Sequence, residues 1–270
     1  MERIRFNYPG QSEQSFDPKQ WEQMKVDSLN KSTGNLTDYD CPKCRNKGFI
    51  AALRDDHSIF TKECDCMQIR RCIHEMERSG LKKVISELTF DKFVATEPWQ
   101  KALKDGVQKY AEDLEGWLLL CGQPGSGKTH LCTAVCRNRL LMGDAVKYMP
   151  WRDEIAQLKA MSLDSENRAI QMDELKRAAI LYVDDLFKTG TASDGSANPS
   201  AADVSIAFEL INYRYNNRLT TIVSTEKSPE GLLQIDEATG SRIIEMAQGH
   251  TFNISMDTGK NYRLRGVVAL

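Results

Sequence analysis

Eight consecutive residues have the types and the spacing to hold a polyphosphate. They follow the pattern G-x-x-x-x-G-K-[ST] and are Gly122, Gln123, Pro124, Gly125, Ser126, Gly127, Lys128 and Thr129. Glycines let backbone N–H groups close around phosphate oxygens, and a helix that begins inside the motif adds further donors. Lys128 can reach the terminal phosphates, and the Thr129 hydroxyl can bind magnesium. The stretch therefore predicts a nucleotide site, with ATP and Mg²⁺ as its ligands.

Two adjacent carboxylates, Asp184 and Asp185, come directly after the apolar run 180–183. In a phosphate-loop protein, a strand that ends in this way is the Walker B strand. We expect Asp184 to orient the magnesium ion, largely through water, and Asp185 to polarise the water that attacks the terminal phosphate. Either carboxylate could instead cap a helix or lie in a turn. The phosphate loop in the same chain favours the catalytic interpretation.

Four cysteines have spacings that suit a structural metal. Cys41 and Cys44 form a C-x-x-C pair, and Cys64 and Cys66 form a C-x-C pair. The residues between the pairs predict a β-hairpin, with strands near 49–53 and 59–61, that brings the pairs together. Four thiolates suit tetrahedral Zn²⁺ and leave no open position for catalysis. Two alternatives remain: Cys72 or His74 could replace a ligand, or the C-x-x-C pair could be a redox site.

The elements that must position these residues alternate between strand and helix. Apolar runs predict five strands, and helical spacing predicts helices between them. The strands are expected near 117–121, 145–149, 179–183, 220–224 and 251–254. Such an order is typical of an α/β fold with a doubly wound parallel sheet, which binds its ligand at the carboxyl edge.

Composition and patterning divide the chain into an N-terminal arm (1–40), a zinc-binding module for partner docking (41–85) and an ATPase domain (86–270). The net charge is −2, and the basic excess is concentrated in 41–85. No apolar run is long enough for a membrane span, and the N-terminus has no signal-peptide core. Eight cysteines without a secretory signal predict metal binding and reduced thiols, hence a cytoplasmic location.

Taken together, the motifs resemble a known family. The phosphate loop, the Asp184-Asp185 strand, the polar end of strand four and Gly240-Ser241-Arg242 are similar to AAA+ ATPases of the initiator and helicase-loader clade. The preceding cysteine module and the 90–93 bridge resemble, more narrowly, the DnaC/DnaI-type replicative helicase loaders. The resemblance covers about residues 30–270.

The resemblance implies roles for residues outside the phosphate loop. Arg242, in a helix that Gly240 is expected to open, resembles the arginine finger that reaches the nucleotide of a neighbouring subunit. The alternative for Arg242 is a surface arginine beside Asp236 and Glu237. Sensor 1 would lie at the end of strand four, where the usual Asn is missing, and Thr225 is the candidate. A helical lid is not expected, and its sensor arginine is absent or replaced by a residue near Arg263.

The resemblance also implies partners. The N-terminal module would bind a hexameric replicative helicase, the ATPase domains would self-associate on single-stranded DNA, and hydrolysis would release the helicase. Candidate DNA contacts are Lys159, Arg168 and Lys176, although a solvated charge is the favoured interpretation of each. The alternatives are a transposition accessory ATPase, or a zinc-module adaptor that uses nucleotide structurally. A small-molecule kinase lacks a recognisable acceptor segment, and a GTPase lacks its Asn-Lys-x-Asp segment.

Overall fold

The computed structural model describes residues 18–76, 87–188 and 198–264. The chain divides into two compact units, one that runs to Met67 and one that starts at Gln68. The first 17 residues of the expected N-terminal arm lie outside the described ranges, and so does the end of the expected zinc module, 77–85. The boundary expected between 85 and 86 therefore remains a prediction.

The first unit contains a helix and a hairpin. Helix α1 spans Pro18–Lys31, and the antiparallel strands β1 and β2 span Phe49–Leu53 and Ile59–Glu63. The Asn30 side chain accepts from the Ala51 N–H and donates to the Ala51 carbonyl, both at 2.9 Å. This pair of bonds joins the end of α1 to β1, so the described part of the expected arm packs with the hairpin. Helix α2 follows as Cys66–Met76.

The second unit is built on a five-stranded parallel sheet, as the sequence predicts. The strands are β3 (Leu118–Gly122), β4 (Val146–Pro150), β5 (Ile180–Asp184), β6 (Thr220–Thr225) and β7 (Thr251–Ile254), in the order β4-β5-β6-β3-β7. Every residue of β3 and β5 is buried, which explains their continuous apolar runs. Because β6 lies between β3 and β5, the ends of all three strands meet at one edge of the sheet.

Seven α-helices are described around this sheet. They are α3 (Pro98–Asp113), α4 (Lys128–Leu141), α5 (Trp151–Ala160), α6 (Ser165–Arg177), α7 (Ala201–Asn216), α8 (Pro229–Ile235) and α9 (Glu237–Met246). Short 3₁₀ turns occupy Met161–Leu163, Thr258–Lys260 and Tyr262–Leu264. The core on one side of the sheet includes Trp117, Trp151, Leu210 and Ile243, which are all buried. Helical spacing places these apolar side chains on the inner faces.

The structure corrects the expected start of α9. The sequence predicts that Gly240 opens this helix, but the helix begins at Glu237 because Asp236 caps it. The Asp236 carboxylate accepts from the Thr239 N–H at 2.9 Å and also binds the Thr239 hydroxyl. Gly240 lies inside the helix, where a Cβ would meet the backbone of Leu232 at 2.9 Å. The glycine therefore permits close packing of α9 on α8 and is not a helix start.

Arg214 of α7 is a fully buried cation that joins three elements. Its guanidinium donates to the carbonyls of Leu175, Lys176 and Ala178 at the end of α6. At the start of β6 it also donates to the Thr220 carbonyl and to the Thr221 hydroxyl. Burial lowers the pKa of Arg214 to about 10. The five acceptors hold the end of α6 against the strand that leads to the nucleotide edge.

Among the helices in the described ranges, none combines the length and the apolar character that a membrane span requires.

Candidate functional site

The carboxyl edge of the sheet holds a cavity of about 480 Å³. One end is formed by the phosphate loop with Asp184, Asp185, Lys188 and Glu226. The other end, called the base end below, is lined largely by the segment before α3, and its lining includes Leu88, Lys92, Phe93, Val94 and Gln100. Polar, charged groups therefore lie at the phosphate-loop end and mainly apolar ones at the other. This division matches a nucleotide, whose phosphates and base need different surroundings.

The phosphate loop has the backbone geometry that its glycines permit. Gly122, Gly125 and Gly127 have φ values of 119°, 75° and 93°, a region that residues with a Cβ rarely adopt. The Lys128 ammonium donates to the carbonyls of Gly122 at 2.6 Å and Gln123 at 2.8 Å. Burial lowers the pKa of Lys128, against the opposing effect of nearby carboxylates. Phosphate oxygens would take the place of these two carbonyls.

Asp184 accepts hydrogen bonds from four hydroxyl groups on four different elements. The donors are Tyr182 at 2.6 Å, Ser224 at 2.6 Å, Tyr148 at 2.9 Å and Thr129 at 3.2 Å. Burial raises the pKa of Tyr182 well above its usual range, and the Asp184 charge raises it further, so this phenol remains a donor. The network fixes the carboxylate beside Thr129, and together the two side chains could hold Mg²⁺.

Sequence reasoning missed the two tyrosines of this network. Tyr148 and Tyr182 are register partners on the neighbouring parallel strands β4 and β5, and their rings are 5.3 Å apart. Side chains two residues apart on a strand share a face, so Tyr182 points to the same side as Asp184. That spacing of two is the signal in the sequence that could have identified Tyr182 as a partner of Asp184.

Asp185 is engaged in an ion pair at the mouth of the cavity. Its backbone has φ 57°, and its N–H donates to the Ser224 hydroxyl at 3.0 Å. The Lys188 ammonium binds an Asp185 oxygen at 2.8 Å and a Glu226 oxygen at 2.9 Å. Burial lowers the pKa of Lys188, but its bonds to the two carboxylates outweigh that effect and leave the pKa raised. The polarising role of Asp185 stays a prediction, and Lys188 and Glu226 are site residues that the sequence did not single out.

Thr225, the sensor candidate, faces away from the cavity lining. Its hydroxyl donates to the Leu186 carbonyl at 2.8 Å and accepts from the Lys227 N–H at 3.1 Å. The side chain is fully buried, whereas the next residue, Glu226, lines the cavity. Thr225 thus joins the segment after β5 to the turn that follows β6, and its sensing role remains a prediction.

Arg242 lies on α9 and is not among the residues that line the cavity of its own chain. Its guanidinium is 5.4 Å from the Phe208 ring centre and 5.5 Å from that of Tyr215, both on α7. Nη1 donates to the Ala238 carbonyl at 2.5 Å, and among the described residues Nε has no hydrogen-bond partner. Asp236 caps the helix and does not pair with Arg242. The finger role remains a prediction, and it requires another protomer.

A C-terminal segment is bonded to the phosphate loop. The Gln123 carboxamide donates to the Asp257 carbonyl at 2.7 Å and accepts from the Asp257 N–H at 2.6 Å. The Tyr262 N–H donates to the Gly125 carbonyl at 2.9 Å. Tyr262 and Arg263 line the cavity, so an arginine does reach it from this segment.

The base end of the cavity is held together by His130. Its Nε2 is 2.8 Å from the Thr89 carbonyl, and its ring packs edge-on against Phe93 at 5.2 Å. Burial lowers the pKa of His130, and the positive charge of Lys104 acts in the same direction. His130 is therefore a neutral donor that fastens the segment before α3 to the phosphate-loop helix α4.

The four cysteines of the first unit converge on one point. The sulfur atoms of Cys41, Cys44, Cys64 and Cys66 lie within 4.8 Å of one another, and all four residues are buried. The Cys41–Cys64 and Cys44–Cys66 sulfur pairs are 3.9 and 3.5 Å apart. Four sulfurs at Zn–S bond length around a tetrahedral ion would be about 3.8 Å apart. The cluster therefore fits Zn²⁺ in its chemistry and in its spacing.

The thiol environment also suits a metal site. Burial raises the pKa of Cys64, whereas at Cys44 the effect of burial is outweighed by the Gly48 N–H, 3.3 Å from its sulfur, and by the other thiols. The pKa of Cys44 falls to about 6 as a result. His74 is exposed and outside the cluster, and the Cys72 side chain is not part of the described structure.

The three candidate DNA-contacting cations each pair with an acidic residue of α7. Lys159 bonds to Asp203, while Arg168 and Lys176 bind the two oxygens of Glu209 at 3.3 and 2.8 Å. These pairs join α5 and α6 to α7. A structural role thus accounts for the three charges.

A family described as "IstB-like ATP binding protein" matches residues 49–265. The chain is 32% identical to the phage-like element PBSX protein XkdC of Bacillus subtilis, over 85% of this chain and 88% of that protein. It is 24% identical to the replicative helicase loader DnaC of Escherichia coli, over 76% and 83%. It is also 24% identical to an insertion sequence IS21 putative ATP-binding protein of Pseudomonas aeruginosa, over 76% and 77%.

Solved structures share the fold. A crystal structure of the DnaC helicase loader superposes with a TM-score of 0.51 at 19% identity, over 64% of this chain and 98% of the other. A crystal structure of DnaI gives 0.50 at 16% identity, over 65% and 94%. The expected α/β fold with a five-stranded parallel sheet is therefore confirmed.

Proposed function

The chain belongs to the family of IstB-like ATP-binding proteins, and from that premise we propose that it is an ATP-dependent helicase loader in DNA replication. It would deliver a hexameric replicative helicase onto single-stranded DNA, and ATP hydrolysis would drive release. The observation that supports this proposal is the presence of a four-cysteine cluster and a phosphate-loop cavity in one chain. Work on DNA implies a cytoplasmic location.

The chemistry assigned to the site is hydrolysis of ATP. Lys128 would bind the terminal phosphates, and Thr129 and Asp184 would hold Mg²⁺, a hard cation that prefers oxygen ligands. Asp185 would polarise the attacking water once its bond to Lys188 opens. Thr225 would act indirectly, by fixing the turn that presents Glu226 to the cavity.

Self-association would complete the site. Arg242 is absent from the cavity of its own chain, and its guanidinium is held by ring faces and one carbonyl, without a carboxylate. A neighbouring protomer would supply this cation to the transition state, a contribution worth roughly 10³–10⁵ in turnover. The nucleotide would then favour the assembled state, because it lies between two subunits.

The zinc unit is the proposed docking element for the helicase. Zn²⁺ bound by Cys41, Cys44, Cys64 and Cys66 would fix the hairpin β1–β2, since a closed four-ligand site is structural and not catalytic. The basic helix α2 follows directly from the last ligand. Metal-dependent binding of the partner is therefore expected.

Binding to a purified hexameric replicative helicase tests the proposal. The wild-type chain should bind the helicase and place it on single-stranded DNA, and Cys44→Ser should lose that binding while retaining its affinity for ATP. The exposed His74→Ala serves as the matched control and should behave like the wild type. A wild-type chain that binds ATP but never the helicase would contradict the loader assignment.

A second candidate function is supported by the IS21-type relative. A transposition accessory ATPase would use the same ATP site but would bind a transposase. If the chain stimulates a transposase on DNA and does not bind a helicase, this function replaces the first. If wild type and Asp185→Asn are equally inactive in DNA-stimulated hydrolysis and both still bind the partner, the chain is an adaptor that uses nucleotide structurally.

A further inference from the structure

Gln100, in the first turn of α3, is a buried carboxamide of which only the oxygen is bonded. The residue is 4% exposed and lines the nucleotide cavity. Its Oε1 accepts from the Thr96 N–H at 2.9 Å, the Thr96 hydroxyl at 3.2 Å and the Glu97 N–H at 3.0 Å. Within the described ranges, no residue accepts a hydrogen bond from its Nε2.

The orientation of this carboxamide is fixed by its partners. Backbone N–H groups can only donate, so the atom that faces Thr96 and Glu97 must be the oxygen. A flipped amide would place the Gln100 NH₂ group, which donates, against the N–H groups of Thr96 and Glu97, which also donate. The NH₂ group therefore faces away from these two N–H groups, and because Gln100 lines the cavity, this donor is available to a bound ligand.

The surroundings of Gln100 suit a heteroaromatic base. Leu88, Phe93 and Val94 line the same end of the cavity, and the phosphate-binding groups Lys128 and Thr129 line the other. A base offers apolar faces to the first three residues and ring nitrogens as acceptors at its edge.

We propose that Gln100 determines base specificity by donating a hydrogen bond from Nε2 to a ring nitrogen of a purine. The inference rests on the proposed function, because it presupposes that the cavity binds ATP. Adenine has acceptors at N1, N3 and N7, whereas guanine carries a hydrogen on N1. If Gln100 donates to N1, guanine is excluded, because its N1 carries a hydrogen. If Gln100 donates to N3 or N7, the site selects purines.

The variant Gln100→Glu tests this assignment directly. A carboxylate keeps an oxygen for Thr96 and Glu97 but replaces the donor group with a second acceptor. We expect the Kd for ATP to rise by about tenfold or more, since a buried donor–acceptor pair becomes an acceptor–acceptor pair. The Kd for inorganic tripolyphosphate should not change, because that ligand occupies only the phosphate end. Calorimetry measures both.

Three analogues identify the atom that accepts the bond. Wild-type protein should bind one of 1-deaza-, 3-deaza- and 7-deaza-ATP about tenfold more weakly than ATP, because each lacks one ring acceptor. In Gln100→Glu, that analogue and ATP should bind equally. Gln100→Met, which removes both polar atoms, should give the same pattern if it retains the melting temperature of the wild type.

Several results would overturn the assignment. The first is equal ATP affinity in wild type and Gln100→Glu, and the second is equal affinity of the wild type for all three deaza analogues. The third is that Gln100→Glu weakens the binding of ATP but not of 2′-deoxy-ATP, which would assign the hydrogen bond to the ribose. The analogue series needs no substitution, so a folding defect in a variant cannot obscure it. If wild-type protein binds neither ATP nor tripolyphosphate, the proposed function itself fails.

Discussion

Lys188 holds the carboxylate of Asp185 in an ion pair, with the Lys188 Nζ 2.8 Å from the Asp185 Oδ2. The same ammonium contacts Glu226, so one cation links the ends of β5 and β6 at the mouth of the nucleotide cavity. The ammonium offsets the negative charge of the Asp185 carboxylate, so the carboxylate polarises a water molecule less strongly while the pair is intact. The pair therefore opposes the catalytic role proposed for Asp185 in the isolated chain.

Replacing Lys188 should release Asp185. We expect Lys188→Met to raise kcat for ATP hydrolysis without DNA or partner by roughly two- to fivefold, the amount that corresponds to a partly exposed ion pair. Steady-state phosphate release measures this change. A fall of more than tenfold with unchanged ATP affinity would show instead that Lys188 supplies charge to the transition state. Lys227→Met, a change of a neighbouring lysine outside the cavity lining, is the control.

Mixing two inactive variants tests whether Arg242 acts between subunits. Asp185→Asn and Arg242→Ala should each lose DNA-stimulated hydrolysis while binding ATP normally. Their equimolar mixture should recover up to about a quarter of the wild-type rate, because some interfaces pair an intact site with an intact arginine. No recovery, together with normal self-association, would contradict the proposed action in trans.

Removal of the metal should affect the first unit alone. The wild-type chain is expected to contain one zinc ion, and a strong chelator should unfold the segment 41–66, because binding of structural zinc contributes about 10–16 kcal/mol to folding. Hydrogen exchange of that segment should rise, whereas the Kd for ATP should stay constant. The exposed His74→Ala should keep its metal, and loss of zinc from that variant would revise the ligand set.

His130 should make stability depend on pH. Its pKa is lowered in the folded state below the usual 6.5, so the unfolded chain binds the proton more readily. Stability from this residue is therefore present above pH 6.5 and is lost as the pH falls. The melting temperature of the wild type should exceed that of His130→Gln at pH 8, and the difference should shrink toward pH 5.5. A constant difference would contradict the assigned neutral state.

Local patterns were enough to predict the sheet and the residues of the two motifs. Apolar runs marked all five parallel strands, and the carboxyl edge followed from their order. The four hydroxyls around Asp184 were not predicted, because strand order decides which side chains meet across β4, β5 and β6. Lys188 and Gln100 were missed for a related reason: their importance depends on the partners that other segments bring to them.

The start of α9 shows a different limit. The sequence pattern predicts that Gly240 opens this helix, yet Asp236 and Thr239 supply a cap one turn earlier. Gly240 instead allows α9 to pack closely on α8, a contact that is visible only in the folded structure.

The hydrogen bonds that join Gln123 to Asp257 and Gly125 to Tyr262 connect the phosphate loop to residues far along the chain. Anything that pulls this late segment away would remove three bonds from the loop at once. A protein that binds residues 255–264 would thereby act as an exchange factor. It would speed the dissociation of hydrolysed nucleotide without contacting the nucleotide itself. For the same reason, an affinity tag appended after this segment should be compared with one at the opposite terminus before any nucleotide measurement is interpreted.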